Sequence, residues 1–406
     1  MIVTSVNEQR VTDRHVKGPG WSSTRLIVKA DNVGYSVHDT YVDEGAELHL
    51  HYTNHIETNY CVSGSGEVVD VATGKIYPLG AGSVYALNKH DQHIVRAGKG
   101  GLHLVCVFNP ALVGDETHSA DGSYPVSERV DHVVINVGQS LDQAQAQYAQ
   151  LGFTLTSRGH HSLGSSNHLA IFGSDYFELL GVEPHNVAKF ADGWDHPLGL
   201  SGLVFKTADA ATLWQQLAAR QVPLEGTGPS SFFRPVELRD NQTHDARFRT
   251  VRIAADRIPN GRVFFCEHLT PDLVWRPEWQ RHANGVNGIL EYVYATHDPA
   301  ASAAVLERAF GPGAVSDVEH GLQLQAGDVS VLYLLPEGIA ARFGVDAKAL
   351  PTLGERAVAL TLRTSSLQRV REALRSGNVG HVREFDRRIV VPADQAAGVL
   401  LAFEER

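Results

Sequence analysis

The chain has 406 residues, of which 43% are apolar and 20% are charged, and its formal net charge is −11. This length exceeds what one ordinary hydrophobic core serves and predicts two or three domains. The negative charge and the lack of a basic tract argue against nucleic acid and anionic membrane surfaces as partners. The sequence has no apolar signal segment, no run near the length of a membrane span and no cysteine pair, so we expect a cytoplasmic protein.

Short strand-like segments fill the chain up to about residue 109, each bounded by Gly, Asn, Asp or Lys. They include LIVKA, YSVHDTYV, LHLHY, TNYCVSG, GEVVDV, SVYAL, HIVRA and HLVCVF. Many short strands at regular spacing, without a helical period, predict an all-β barrel of the jelly-roll kind. The next segment is rich in turn formers and predicts a closing tail and linker, with a boundary near Val126.

From Val130 the pattern changes to strands that alternate with amphipathic helices. The order of one strand, one helix and further strands occurs four times, with helices predicted in SLDQAQAQYAQLG, AATLWQQLAARQ, PAASAAVLERAFG and SLQRVREALRSG. This is an α+β region of repeated βαβββ modules. We therefore predict three domains: a barrel at 1–126, one pair of modules at 127–284 and a more divergent pair at 285–406.

Residues 45–93 concentrate side chains that bind metal ions. His49, His51, His55 and Glu57 fall within nine positions, and Tyr85 and His93 follow on later strands. A single histidine on a strand is more often a surface or core group than a ligand, but the clustering favours a site. If Glu57, Tyr85 and His93 share the inner face of the barrel, their mixed oxygen and nitrogen donors favour iron, with zinc as an alternative.

The same stretch matches the two sequence motifs of the cupins. The first motif falls on Gly45, His49, His51, Glu57 and Gly64, and the second spans 82–93, with Asn88 where proline is usual. Beyond these motifs, residues 1–125 resemble the ectoine synthase family along their whole length. The resemblance is carried by TDRHV, WSSTRL, DNVG, HLHYTNHIE, GSGEV, YALNKHDQH, CVFNP and ETHSADGSYPV.

This resemblance implies a reaction and a set of residues. The reaction is loss of water from Nγ-acetyl-L-2,4-diaminobutyrate, with closure of the ectoine ring. The family's metal ligands, expected to bind Fe(II) or alternatively Zn, match Glu57, Tyr85 and His93. The positions that line the family's substrate pocket match Trp21, Arg25, Thr40, Cys106, Phe108 and Glu116.

Each implied role has a physical basis. Arg25 would hold the carboxylate of a small zwitterionic substrate, and Glu116 would bind its ammonium group. Tyr52 and His55 are candidates for proton transfer, and His49 and His51 become supporting residues. Without the resemblance, Trp21 and Phe108 would more often be plain core. Tyr41 stands where the family carries a smaller residue, so we expect a bulkier pocket wall there.

The region from Val130 resembles the glyoxalase-like branch of the vicinal oxygen chelate superfamily. DHVVINV, NHLAIFG, YFELLGV and FFCEHLTPDLVWRPEWQRHANGV carry this resemblance. It implies a second metal site with His132 and Glu178 as ligands and Glu267 or His268 as a third. The strand GLVFKTAD offers no ligand where one is expected, so a metal-free binding cavity is the alternative, and His132 could equally be a core histidine.

Three functions follow. The first is a metal-dependent cyclising hydro-lyase of the ectoine synthase kind with an appended module. The second places the activity in the glyoxalase-like region, as an isomerase, dioxygenase or detoxifying enzyme. In the third, that region is a non-catalytic ligand-binding or regulatory module. The complete ligand set of the first domain favours the first function combined with the third. The resemblance to the cupins further implies a homodimer formed through barrel strands.

Overall fold

The structure is a computed structural model that describes the chain except residues 32, 53–54, 90, 110, 113, 115, 117, 119–128, 188–196, 208, 238–242, 259–260, 312–313, 347–354 and 386. The chain divides into two compact units, Met1–Val126 and Ser127–Arg406. The predicted boundary residue Val126 and most of the predicted linker lie outside the described residues. No helix in the described residues is long and apolar enough to cross a membrane.

The described residues of the first unit form strands and one short helix, α1 (Val6–Gln9). The strands are β1 (His15–Gly18), β2 (Trp21–Ile27), β3 (Ser36–Val42), β4 (Glu47–Leu50), β5 (Ile56–Asp70), β6 (Ile76–Gly80), β7 (Val84–Leu87) and β8 (His93–Asn109).

These strands form one antiparallel sheet that curls into the predicted cupin barrel. The order is β1-β2-β3-β8-β5-β6, while β4 pairs with β8 and β7 pairs with β5. The long strands β5 and β8 each pair with three others, so the sheet folds back on itself. The barrel core is apolar and includes Val42, Leu50, Tyr52, Val68, Leu87, Val95, Leu104 and Phe108.

Two predicted strand breaks are absent from the barrel. TNYCVSG and GEVVDV form the single strand β5, and HIVRA and HLVCVF form the single strand β8. The register between β5 and β8 shifts next to Gly64, whose φ is +93°. A Cβ on Gly64 would lie 2.1 Å from the carbonyl oxygen of Gly101. Glycine therefore allows a bulge at which both strands bend without ending.

The second unit contains the four predicted βαβββ modules. The first module consists of β9 (Val130–Gly138), α2 (Leu141–Gln150), β10 (Gly159–His160), β11 (Ser165–Ile171) and β12 (Tyr176–Val182). The second module consists of β13 (Gly199–Lys206), α3 (Ala210–Ala219), β14 (Ser230–Glu237), β15 (Thr243–Arg252) and β16 (Arg262–His268). The third module consists of β17 (Val286–Ala295), α4 (Pro299–Phe310), β18 (Val315–Val318), β19 (Gly321–Ala326) and β20 (Val329–Leu334). A helix that the sequence did not predict, α5 (Pro336–Phe343), lies between the third and the fourth module. The fourth module consists of β21 (Arg356–Thr364), α6 (Leu367–Ser376), β22 (Arg383–Phe385), β23 (Arg388–Val391) and β24 (Leu400–Glu405).

Each pair of modules shares one eight-stranded sheet. The orders are β10-β11-β12-β9-β13-β16-β15-β14 and β18-β19-β20-β17-β21-β24-β23-β22. Within every module the first strand runs parallel to the last one, and the module helix supplies the crossover that a parallel pair requires. The first strands of paired modules run antiparallel, which joins the two halves of each sheet.

The predicted separation of 285–406 as a domain stays a proposal. Strand β17 opens the second sheet at Val286, but both sheets lie in the same compact unit. They contact each other at several points: the Tyr148 hydroxyl on α2 donates to the carbonyl of Ala396 (3.2 Å), and the Ile289 N–H on β17 donates to Asp175 (3.0 Å).

Candidate active site

Strand register aligns the candidate site residues of the first unit across the barrel. One cross-strand row runs through β2, β3, β8, β5 and β7 and consists of Arg25, His38, Cys106, Asn59 and Tyr85. In the neighbouring row Glu57 lies opposite Phe108. Because side chains two positions apart on a strand share a face, Glu57 projects to the same side as Asn59, and Phe108 to the same side as Cys106.

The barrel contains a cavity beside these rows. Eight residues singled out in the sequence line it: Trp21, Arg25, Thr40, Tyr52, Glu57, Tyr85, Cys106 and Phe108. The other lining residues are Ser23, Val42, Leu48, Leu50, Asn59, Val95, Leu104 and His118. A mainly apolar wall with a few convergent polar groups is typical of a site for a small molecule.

Arg25 is a buried cation held in a fixed orientation. Its side chain is among the largest that are fully buried in the described chain. Nη1 donates to Ser23 Oγ (2.7 Å) and to His38 Nδ1 (2.8 Å), and Nη2 donates to the carbonyl of Glu116 (3.1 Å). Burial and the Arg25 charge hold the pKa of His38 well below its ordinary value, so this imidazole is a neutral acceptor. Arg25 Nε is buried without a partner among the described residues, which leaves a donor for a ligand anion.

Glu57 is a buried carboxyl group in an unfavourable environment for its charge. Burial raises its pKa to about 7, against the opposing effects of Asn59, Arg25 and Cys106. Its Oε2 atom accepts no hydrogen bond from the part of the chain that the structure describes. An ionised carboxylate in such a place is stabilised by a cation.

His93 and Tyr85 supply two further buried donors. Burial lowers the pKa of His93 to about 4, so its ring is neutral at pH 7. Nδ1 lies 3.0 Å from the carbonyl oxygen of Asp91 and must carry the proton, because a carbonyl only accepts. The lone pair of His93 is therefore on Nε2, which is buried without a described partner. The Tyr85 ring lies 6.4 Å from the His93 ring, and burial together with Glu57 raises the Tyr85 pKa well above its ordinary value.

These donors fit a metal ion. An unpartnered carboxylate oxygen on Glu57, an unpartnered imidazole nitrogen on His93 and the phenol of Tyr85 are an oxygen and nitrogen set that suits iron or zinc. The hydrogen bond from His93 to the Asp91 carbonyl is the kind of contact that orients metal-bound histidines.

His118 is a site residue that the sequence did not single out. Its Nε2 lies 2.8 Å from the Tyr52 hydroxyl, and its ring packs edge-on against Trp21 at 4.8 Å. Burial lowers the pKa of His118 to about 3, so the neutral ring accepts from Tyr52. His118 lies in a turn-rich segment without periodicity. The block ETHSADGSYPV, which carried the family resemblance, was the available signal.

Five histidine and glutamate candidates do not themselves line the cavity: His49, His51, His55, His93 and Glu116. His49 bonds Glu47 at the surface (2.7 Å) with 62% of its side chain exposed, so its expected supporting role was wrong. His51 is half-buried. The buried His55 ring packs edge-on against Phe108 at 6.3 Å. The carboxylate of Glu116 accepts from the Gly114 N–H (2.7 Å), while its carbonyl oxygen holds Arg25.

Tyr41 does not form the bulkier pocket wall expected from the sequence. It is 39% exposed, and its ring stacks on His103 at 4.1 Å and 8°. Its neighbour Thr40 faces the cavity instead, because successive residues of β3 point to opposite sides of the sheet.

In the second unit His132 and Glu178 face a cavity on the first sheet. His132 Nε2 lies 4.0 Å from Glu178 Oε2. Glu267 is engaged elsewhere, since its carboxylate accepts from the Ala210 N–H (2.9 Å) and from Arg249 (2.7 Å). His268 Nε2 lies 3.1 Å from the buried Asp131. His132 Nδ1 also lies 2.6 Å from Asp131, and of the four residues predicted for a second metal only His132 and Glu178 line the cavity.

The described residues of this unit fit a divalent ion poorly. Val204 on β13, directly opposite His132, offers no ligand atom. Asp131, Cys266 and His268 place donor atoms within 4.8 Å of one another. The Lys206 ammonium, however, lies 3.6 Å from Asp131, and burial raises the pKa of the Cys266 thiol well above its ordinary value. A cation already present and a protonated thiol both disfavour a metal ion there.

Two family models match the chain. The model described as ectoine synthase matches residues 1–128, and the model described as a glyoxalase-like domain matches residues 130–310. A hypothetical protein from Staphylococcus aureus, known as a crystal structure, is 13% identical and has a TM-score of 0.50. It covers 69% of this chain and 100% of that chain, and at this identity the likeness shows the fold alone.

The first unit also has named relatives. A crystal structure of ectoine synthase from P. lautus is 39% identical, with a TM-score of 0.27, and covers 28% of this chain and 81% of that one. The L-ectoine synthase of Hyphomonas neptunium is 45% identical over 133 residues, which are 32% of this chain and 98% of that protein. The chain therefore belongs to the ectoine synthase family.

Proposed function

We propose that the first unit converts Nγ-acetyl-L-2,4-diaminobutyrate to ectoine and water, as a metal-dependent cyclising hydro-lyase. The observation that carries this proposal is the barrel cavity, which is lined by eight of the residues that the family resemblance singles out. The identity of 45% over nearly the whole of a named L-ectoine synthase supports the same reaction.

The substrate is a small zwitterion with one carboxylate, one ammonium group and an acetamide. Arg25 is proposed to bind the carboxylate, and its unpartnered Nε donor supports this role. Thr40 and Cys106 line the same cavity, and Trp21 and Phe108 supply apolar walls that exclude water. Glu116 is proposed for the ammonium group, and its carbonyl also positions Arg25.

Glu57, Tyr85 and His93 are the proposed metal ligands, for Fe(II) or alternatively Zn. The unpartnered buried Glu57 Oε2 and His93 Nε2 atoms support this set. When bound, such an ion supplies Lewis-acid polarisation of the acetamide carbonyl. The protein's part is to hold these donors away from water and to orient the His93 ring through the Asp91 carbonyl.

Ring closure requires two proton movements that the chain's own residues can carry. The α-ammonium group loses one proton before its nitrogen attacks the carbonyl carbon, and the same nitrogen loses a second proton after the C–N bond has formed. The carbonyl oxygen gains both protons, and the C–O bond breaks as the oxygen leaves as water. The Tyr52 hydroxyl, hydrogen-bonded to the neutral His118, is the proposed donor and acceptor in the cavity. His55 was the second candidate, and its ring packs against the cavity residue Phe108.

We place the protein in the cytoplasm as a homodimer. The three buried cysteines, Cys61, Cys106 and Cys266, are free, which suits a reducing compartment. Exposed apolar side chains on β5 and β7, Tyr60, Val62 and Val84, support association through barrel strands.

The test compares ectoine formation by the wild type, Glu57→Ala and Glu67→Gln, each purified with iron. Glu67 lies on the same strand but bonds the surface residue Arg96 (3.0 Å), so it is the matched control. We expect Glu57→Ala to lose its iron and to be slower by roughly 10³-fold, because several kcal/mol of Lewis-acid stabilisation disappear. Wild-type ectoine formation by Glu57→Ala would overturn the proposal.

For the second unit we propose a ligand-binding module rather than an isomerase or dioxygenase. The cavity beside His132 and Glu178 supports binding, while the ligand set that a metal-dependent activity needs is incomplete in the described residues.

A further inference from the structure

The cavity of the second unit is lined by three arginines, Arg234, Arg252 and Arg262. They lie on β14, β15 and β16, on the same face as Phe232, Phe248 and Phe264. The alternation of strand side chains explains why charged and aromatic residues share this face. Three guanidinium groups in one aromatic cavity are unusual in a site built to hold a divalent cation.

Arg234 is the most buried of the three, with 4% of its surface exposed. It passes close to Gly159 on β10, where a Cβ would lie 2.8 Å from both Cδ and Nη1 of the arginine. A side chain at residue 159 would therefore displace Arg234. Its Nη2 is buried and finds no hydrogen-bond acceptor in the described ranges. An unpartnered guanidinium nitrogen in such a place calls for an anion.

The carboxylates near the cavity do not fully satisfy these charges. Glu178 accepts from Asn167 (2.5 Å) and lies 3.5 Å from His161. Burial and Arg252 lower the pKa of Arg262, against the opposing effects of Glu178 and Glu225. Among the described residues Glu178 is thus already engaged by Asn167, and Arg234 Nη2 stays without an acceptor.

The second sheet of the same unit handles a buried arginine differently. Arg388 on β23 donates to Glu291 (2.9 Å) and to Glu404 (2.9 Å). Helix α5 packs Ile339 and Phe343 into the core of that sheet. Arg388 is therefore ion-paired inside the fold, although it also lines a cavity and its Nη1 has no described partner, whereas Arg234 has no such ion pair among the described residues.

We propose that the open cavity binds a small organic carboxylate, with Arg234 holding the carboxylate and the phenylalanines holding an apolar body. The site is independent of metal and separate from the proposed ectoine-forming site. The aromatic wall favours such a ligand over inorganic phosphate, because a compact dianion has no apolar surface to bury and loses its hydration on entry.

The experiment is calorimetric titration of the full chain with benzoate, hexanoate, benzyl alcohol and inorganic phosphate. We expect benzoate or hexanoate to bind at least about tenfold more tightly than benzyl alcohol, the neutral analogue, since a charge-assisted pair is lost. EDTA should leave the affinity unchanged. Failure of both carboxylates to bind, equal binding of benzyl alcohol, preference for phosphate or loss of binding in EDTA would each overturn the proposal.

Two arginine variants assign the binding to this cavity. Arg234→Met should weaken carboxylate binding at least about tenfold. Arg247→Met, on the opposite face of β15 with 65% of its side chain exposed, should bind like the wild type. Arg234→Met should melt close to the unliganded wild type, because it removes a buried charge whose Nη2 has no hydrogen-bond acceptor in the described residues. If it does not fold, Arg234→Lys takes its place, and wild-type affinity in whichever variant folds contradicts the assignment.

Discussion

The hydrogen bond between Tyr52 and His118 gives the barrel cavity a group that can donate and accept a proton. The two atoms lie 2.8 Å apart, and the Tyr52 ring packs edge-on against Phe108 at 5.3 Å. Tyr52→Phe keeps the ring and removes only the hydroxyl. We expect its kcat for ectoine formation to fall by roughly 10²–10³-fold with little change in KM, since a proton-transfer group is lost and substrate contacts remain.

The matched control for this prediction is Tyr60→Phe, which removes an exposed hydroxyl on β5. His118→Gln should reproduce part of the loss in kcat, because it removes the acceptor of the Tyr52 proton. A Tyr52→Phe enzyme with wild-type kcat would limit the pair to a structural role.

Single residues on one strand explain what the sequence could and could not predict about the site. The alternation of side chains correctly predicted that Leu48 and Leu50 lie on the opposite face of the strand from His49. It does not predict which of the two faces points into the barrel. The apolar face lines the cavity, and His49 is exposed, because burial of apolar surface decided the orientation of the strand. The sequence pattern thus identifies residues that could bind a metal ion, but the side of the sheet to which their side chains point depends on how the barrel closes.

At the level of elements, the four βαβββ modules were predictable because each helix has its own period and each strand its own apolar run. Two details were not. The long strands β5 and β8 continue through glycines that normally mark turns, since the bulge at Gly64 lets them bend. The sequence before helix α5 contains no polar stretch that would mark the start of a helix. The helix depends on the burial of Ile339 and Phe343 in the folded protein.

Asp175, directly before β12, is a titrating group at the contact between the two sheets of the second unit. It accepts from the Ile289 N–H (3.0 Å), and burial raises its pKa to about 7. A carboxyl group whose folded pKa exceeds its unfolded value of 3.8 binds its proton more tightly in the folded state. The wild type therefore loses stability as pH rises from about 4 through about 7.

Asp175→Asn should remove this loss, because the amide keeps the acceptor for Ile289 without a charge. We expect the variant to gain on the order of 2 kcal/mol over the wild type at pH 8.5 and little at pH 5. Urea unfolding at the two pH values measures the difference. Asp317→Asn, at an exposed position on β18, should change little at either pH, and a gain for Asp175→Asn that is equal at both would refute the titration argument.

At the scale of the whole molecule, similar pairs of modules have produced two different faces. On the first sheet Arg234 lines an aromatic cavity, and on the second sheet Arg388 pairs with Glu291 and Glu404 and lines a cavity beside α5. Both pairs follow the same strand and helix rhythm, so the rhythm predicts the sheet but not how the charges on its face are paired. That outcome depends on side-chain partners from distant segments, such as Glu291 with Arg388, which no local pattern encodes.

Among the described residues the barrel has an apolar core of its own, and two further apolar cores lie in the second unit. We expect scanning calorimetry of the full chain at pH 7 to show a distinct transition for each unit. Glu291 lies in the second unit, where Arg342, Arg388 and Thr361 hydrogen-bond its carboxylate. Burial alone would raise the pKa of Glu291, but these partners hold it at about 2, so the carboxylate is ionised at pH 7.

Glu291→Gln should therefore lower only the transition of the second unit. The variant leaves Arg342 without its buried anion and Arg388 with Glu404 alone, at a cost of about 3 kcal/mol, which corresponds to roughly 5–10 °C for a unit of this size. Glu384→Gln removes an exposed partner of Arg371 and should leave both transitions unchanged. Ectoine formation measured below both transitions should be unaffected by Glu291→Gln. A single transition, or a shift of both transitions together, would refute independent unfolding of the units.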